Sequence, residues 1–415
     1  MNNESNDFDD DFEYAVDAYE REDYKTAYKL FLPLAEQEDS DAQCYLGWIY
    51  ENGHGVPKDI KEALKWFRLA AEQGDYDAQN NLGLIYEYGQ GIQQDSKKAV
   101  KWYRLSAEQG NADAQYNLGM SYAKGHGVLQ DFKESVKWYR LAAEQGDAEA
   151  QYNLGGRYFE GEGVPQDNKE AAKWYRLAAE QGDAEAQCFL GSMYFEGQGV
   201  PQDYKEAEKW YRLAAEQGDV DAQHIMGLIH ANGQGVPQDY KEAGKWIRLA
   251  ADQENAEAQC FLGSIYNEGQ GVEQDYKEAV KWWKLAAEQG DNEAQFNLGV
   301  VYDQGHGVLQ DFNESVKWYR LAAEQGHVES QYNLGFMYHE GLGVPQDDEE
   351  AIKWWRLAVE QGCVEAQCNL GVMYYEGIGV PQDYEEAVKW WGLAAGQKHE
   401  RAQFNLEMMH GSSSN

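Results

Sequence analysis

A 36-residue interval governs the chain almost from end to end. An Ala-Gln pair, Ser-Gln in one copy, sets glutamine at Gln43, Gln79, Gln115, Gln151, Gln187, Gln223, Gln259, Gln295, Gln331, Gln367 and Gln403, with no insertion or deletion between marks. Repetition at this period signals stacked supersecondary units, a solenoid, whose core is a ribbon shared between neighbours. The length of 415 residues therefore does not translate into a count of globular domains. It points to a long repetitive surface suited to binding other chains.

One unit, residues 183–218, gives the local structure. Ala186, Leu190, Met193 and Tyr194 lie at helical spacing. Gly197 and Gly199 then break the helix into a loop. Asp203 is a good N-cap, and Glu206 three residues on predicts a capping box. Ala207, Trp210, Tyr211 and Ala214 form the apolar stripe of a second helix, and Gly218 stands at its C′ position. All ten copies keep the G-x-G pair (Gly53/Gly55 to Gly377/Gly379), the capping Asp (Asp59 to Asp383) and the tryptophan (Trp66 to Trp390).

Ten more glycines sit inside the first helices, from Gly47 to Gly371. Each costs about 1 kcal/mol against alanine. Close approach by a neighbouring helix is the expected compensation, with side chains of the next unit filling the gap. The eleventh copy has Glu407 at this position, consistent with a capping helix that has no following partner.

The chain thus divides into a disordered acidic tail (1–10), an N-terminal capping hairpin (11–40), ten repeats (41–400), a C-terminal capping helix (401–410) and a disordered tail (411–415). The first hairpin has a short turn near Glu22 and Asp23 without G-x-G, and Leu30 where later units have Trp.

The pattern A-x-x-x-L-G-x-x-Y-x-x-G-x-G-V followed by D-x-x-x-A-x-x-W-x-x-x-A-A-x-x-G resembles the Sel-1-like repeat family, relatives of the tetratricopeptide repeats with a longer loop in the hairpin. The resemblance covers residues 41–410. It implies an all-α, right-handed α/α superhelical solenoid of helix–loop–helix repeats. It also implies a non-enzymatic scaffold or adaptor role, or, in bacteria, contact with host cells. It supplies no ligand.

Charge narrows the partner. With 73 acidic and 35 basic residues, the net charge of −38 argues against nucleic-acid phosphate and anionic membranes, and favours basic partners. No stretch is long and apolar enough to span a bilayer. The acidic N-terminus lacks the basic and apolar regions of a secretory signal, so a cytoplasmic protein is expected, with secretion as an effector left open. Cys44, Cys188, Cys260 and Cys368 share one repeat position, too far apart for disulfides, so free thiols are expected.

Several chemical readings give way to plainer ones. The G-x-G loops follow a helix rather than a strand and precede an Asp, which disfavours phosphate. His54, His126 and His306 occupy one loop position in separate repeats, so they read as exposed loop residues, not metal ligands. Ser121 and Lys124 match the S-x-x-K of penicillin-recognising enzymes, a remote alternative of β-lactam hydrolysis, but the companion motifs are absent and Ser121 holds a packed position. No catalytic residue, metal or cofactor is expected.

The K-W-x-R segment of the second helix reads as a salt-bridged outer face, because the N3 Glu precedes the Lys by three residues. The remaining surface is strongly acidic. By analogy with tetratricopeptide superhelices, the first helices line the concave side. The positions before Ala-Gln, from Asp41 to Glu365, are acidic in all ten units. Near the helix ends lie Trp48, Glu51, Glu87, Tyr88, Phe159, Glu160, Phe195, Glu196, His339, Glu340, Tyr375 and Glu376. Variable aromatic–acid pairs on a fixed frame are the expected partner-binding set. The partner is a protein or peptide, basic or amphipathic, and the chain is expected to be a monomer without nucleic-acid binding or membrane insertion.

Overall fold

The structure, a computed structural model, describes the backbone of residues 4–412 and the side chains of 11–409. Among the described residues it is all-α: 23 helices and no strand, with consecutive helices paired as hairpins. The fold class is the helix–loop–helix solenoid implied by the repeat. The chain divides into two compact units, Met1–Ala214 and Ala215–Asn415, described separately below.

In the first unit the N-terminal hairpin joins Glu4–Glu20 to Tyr24–Glu36. The helix begins within the stretch expected to be disordered; extending a helix already nucleated costs far less than starting one. At the other end of the chain the last helix, Glu400–Ser412, also runs past residue 410. The rest of both expected tails, residues 1–3 and 413–415, lies outside the described residues.

The loop chemistry is uniform, and Ser40–Asn52 with Ile60–Gln73 illustrates it. Gly53 closes the first helix with φ +75°. Gly55, also left-handed, lies so close to the preceding hairpin that a Cβ would sit 2.7 Å from the Tyr24 carbonyl carbon. The first glycine is thus required by conformation, and the second by conformation and proximity together. The Asp59 carboxylate accepts from the backbone N–H of Lys61 and Glu62 at 2.9 and 3.2 Å.

The capping box does not form. The Asp59 N–H donates instead to the Tyr50 carbonyl at 2.9 Å, tying the second helix back to the first. Its would-be partner Glu62 pairs with Lys65 at 3.2 Å.

The intrahelical glycines also differ from expectation. The side chain that fills each gap comes from the second helix of the same hairpin, twenty residues on, and not from the next unit. A Cβ at Gly83 would lie 2.5 Å from the Tyr103 ring in the first unit, and one at Gly263 would lie 2.5 Å from Trp283 in the second. The residue that follows the repeat tryptophan, aromatic in every repeat but that of Ile247, therefore occupies a glycine notch. This geometry compensates the low helix propensity of glycine.

Within each unit, hairpins join through a hydrogen-bonded glutamine pair. Gln115 is buried, donates from Nε2 to the Ala107 carbonyl at 3.2 Å, and accepts from Gln145 at 2.7 Å. Gln295 in the second unit repeats both bonds, to Ala287 at 3.2 Å and from Gln325 at 2.9 Å. Buried amides so satisfied fix register as well as stability. The repeat arginine adds a tie: Arg140 donates to the Tyr158 hydroxyl at 2.6 Å, and Arg320 to Tyr338 at 2.7 Å.

Candidate protein-interaction surface

This frame uses the recurrent Ala, Gln, Gly, Tyr, Asp and Arg of the repeats. The variable positions near the ends of the first helices remain on the surface, and the expected partner-binding residues sit there in varied settings.

In the first unit, Trp48 is half-buried and meets Tyr45 edge-on at 5.1 Å. Burial pushes the Glu51 carboxyl above its ordinary range, with Lys58 opposing the shift. Glu87 is engaged, accepting from the Tyr103 hydroxyl at 2.6 Å, while Tyr88 is 68% exposed. Phe159 is half-buried; Glu160 is exposed, 3.8 Å from Arg157. Phe195 packs edge-on against Tyr204 at 5.1 Å, and exposed Glu196 accepts from Gln198 at 2.6 Å.

In the second unit the residues converge. His339 Nδ1 lies 2.6 Å from the Asp348 carboxylate, and its ring lies 5.7 Å from that of Trp355. Tyr375 rests between Tyr384 and Trp391, each 5.4 Å away. His339 and Glu340 line one concavity with Phe336 and Trp355; Tyr375 and Glu376 line the next, of about 280 Å³, with Trp391. Arg401 borders both. The aromatic partners in these pairs are thus largely seated on their own hairpin's second helix, and the acids stand outward.

The acids before Ala-Gln are partly consumed in structure. Asp77 accepts from Asn111 Nδ2 at 2.9 Å, and Glu293 lies 3.3 Å from His327 Nε2. Each bond reaches the N-cap of the following repeat's first helix. Burial first, then the neighbouring Asp113 and Asp41 charges, raise the Asp77 pKa. The hydrogen bond to His327 lowers that of Glu293.

Three exposed residues of the same helices escape the sequence reading: Phe189 and Phe336, 41% and 42% exposed, and Arg401. The available signal was variation between copies, since Phe336 corresponds to Trp48, Leu84 and Gly156 in other repeats.

The other sequence candidates are accounted for. Ser121 is buried and its hydroxyl donates to the Asn117 carbonyl at 2.8 Å, a helix-packing role. His126 and His306 are exposed loop residues, but His54 is half-buried and stacked on Tyr24 at 4.0 Å, because the short-turned first hairpin presents a ring there. Among the described residues none of the five cysteines forms a disulfide. Among the described residues no group of metal-ligating side chains is assembled, and no helix is long and apolar enough to cross a membrane. The Lys of K-W-x-R pairs with the N3 Glu, as at Lys317 and Glu314 (3.1 Å), with the ammonium 4.9 Å above the Trp318 ring.

The Sel1 repeat model matches ten consecutive segments, beginning 40–75, 77–111 and 112–147 and ending 328–363 and 364–399. The solved structure of c5321, a protective antigen of uropathogenic Escherichia coli displaying an SLR fold, is 36% identical over 93% of this chain and 90% of its own, with a TM-score of 0.71. A Sel1 repeat protein from Oxalobacter formigenes is 36% identical over 74% of this chain and 90% of its own, with a TM-score of 0.61. No curated protein matches the chain. Proteins built from these repeats are generally interaction scaffolds without catalytic activity. With ten matched repeats and a relative of equal reach, the chain belongs to the Sel1 repeat family.

Proposed function

We propose that this protein is a non-enzymatic scaffold whose first-helix face, acidic and set with aromatics, binds a basic or amphipathic segment of another protein. The observation that carries the reading is the division of labour within each repeat. Fixed residues hold hairpins together, while exposed acids such as Glu160, Glu196, Glu340 and Glu376 stand free of that frame beside variable aromatics. Aromatic anchors ringed by carboxylates suit a partner carrying Lys or Arg. The N-terminal hairpin and the last helix serve as caps, and the chain acts as a monomer. Binding of a labelled amphipathic Lys–Leu peptide, followed by anisotropy, tests this: affinity falls steeply as salt rises from low to physiological strength. Salt-insensitive binding, or binding abolished by charge reversal at Lys317 and Arg320, overturns it.

A second reading, a secreted bacterial effector contacting host proteins, draws on one fact: the E. coli relative is described as a protective antigen. An export assay on the tagged chain in its native host separates the two readings.

A further inference from the structure

Ten repeats place an acid two residues before the repeat glutamine; the eleventh copy places Arg401 there. This single inversion falls in a hollowed part of the surface. Three adjoining concavities of the second unit all include Arg401 in their walls. Phe336 and Trp355 line one, Tyr375 and Trp391 another, and Glu340, Glu365, Glu376 and Glu400 are distributed among the three, with Lys398 and His399 beside Arg401 in the concavity that holds Glu365 and Glu400. Although carboxylates line the same concavities, Arg401 forms no ion pair among the described residues.

These features select the chemistry of an occupant. A simple anion would meet Arg401 but also four glutamates. A simple cation would meet the glutamates but also the guanidinium. A ligand carrying both charges on one short frame satisfies both, and an apolar stem between them would lie against the aromatic walls. A lysine or arginine at the end of a chain has this arrangement: an α-carboxylate, an aliphatic stem and a terminal cation.

We propose that the hollow around Arg401 receives the carboxy-terminal lysine or arginine of a partner chain. The guanidinium takes the α-carboxylate in a bidentate pair. Glu340 or Glu376 takes the side-chain cation, and the exposed rings of Phe336 and Tyr375 flank the stem. The proposal rests on the basic-partner reading above and adds to it a direction: the partner's terminus lies at this end of the second unit.

The test uses the full chain and small probes. Nα-acetyl-L-lysine, its carboxamide, and Nα-acetyl-norleucine are compared by ligand-observed NMR titration. The free acid binds most tightly, and loss of either charge weakens binding about tenfold, the effect of one charge-assisted hydrogen bond. Arg401→Gln makes acid and carboxamide equal, whereas Arg401→Lys retains part of the difference; an unchanged circular dichroism spectrum establishes that both variants fold. Carboxamide binding as tight as the acid, a preference that survives Arg401→Gln, or no detectable binding of the acid overturns the proposal. Octalysine amide, titrated in parallel, reports on the acidic face alone. If it fails to bind while the acid preference persists, the basic-groove reading falls and the terminus site stands; the reverse result removes only the terminus site.

Discussion

Replacing Gly263 by alanine tests whether the intrahelical glycines exist for close packing. An added Cβ would lie 2.5 and 2.6 Å from Cδ1 and Nε1 of Trp283. Ordinary carbon contacts are about 3.5–4.0 Å, so the indole must move by about 1 Å. It has little room: Trp283 is 2% exposed and donates from Nε1 to the Cys260 carbonyl at 3.1 Å. Overpacking costs about 1–3 kcal/mol, and the lost hydrogen bond about 1 kcal/mol. The better helix propensity of alanine returns about 1 kcal/mol. Gly263→Ala therefore destabilises by about 1–3 kcal/mol. Gly244, in the helix Tyr240–Asp252, is the control, because a Cβ there meets nothing within 4 Å. Gly244→Ala stabilises by about 1 kcal/mol. Urea unfolding followed by circular dichroism gives the sign, and hydrogen exchange in the helix Ala256–Glu268 gives the local effect, since repeat arrays open in parts. If Gly263→Ala stabilises as Gly244→Ala does, the notch explanation is wrong.

Further outcomes follow from the same geometry. Gln295→Ala removes two hydrogen bonds, to the Ala287 carbonyl and from the Gln325 amide, and leaves each of those groups only its bond to Gly290; stability in urea falls by about 1–3 kcal/mol. Glu254 and Lys398 hold φ of +67° where most repeats have glycine, so Glu254→Gly and Lys398→Gly each raise the thermal midpoint, relieving about 1–2 kcal/mol. Burial raises the carboxyl pKa of Asp41, Asp77 and Asp147, so each binds a proton more readily folded than unfolded. These groups disfavour the fold at neutral pH, and the penalty lifts as pH falls through their folded pKa. The caps Asp95 and Asp239 have lowered pKa values from backbone N–H bonds, so their stabilisation is lost only at lower pH. A thermal-melt series therefore rises in stability from pH 7.5 into the mildly acidic range and falls again below the ordinary carboxylate pKa.

Much of the fold was legible because its signals are local. Asp59, Gly53 and Gly74 mark helix ends by capping preference and left-handed backbone, and those properties need no knowledge of neighbours. What bridges distant segments was not legible. The fixed glutamines were visible, but their pairing with a second glutamine thirty residues on depends on how helices stack. The same limit hid the partner of the intrahelical glycines, since the sequence shows a missing side chain without showing which ring fills it. It also misjudged Glu62, whose capping-box role is displaced once Tyr50 takes the Asp59 N–H. At the candidate surface, acids and aromatics were readable as residue types. That Tyr375 lies on Trp391 while Arg401 opens onto the same hollow was not, because packing between helices, within the hairpin and onto the next, decides it.

The claim at the centre is that partner recognition belongs to the variable acids of the first helices and not to net charge. Glu340→Lys with Glu376→Lys changes the total charge by the same amount as Glu288→Lys with Glu324→Lys at the exposed ends of second helices. Anisotropy titration of the labelled Lys–Leu peptide against both double variants separates position from charge. The account predicts about tenfold or greater weakening for the first pair and near-native affinity for the second; equal weakening by both pairs would contradict it.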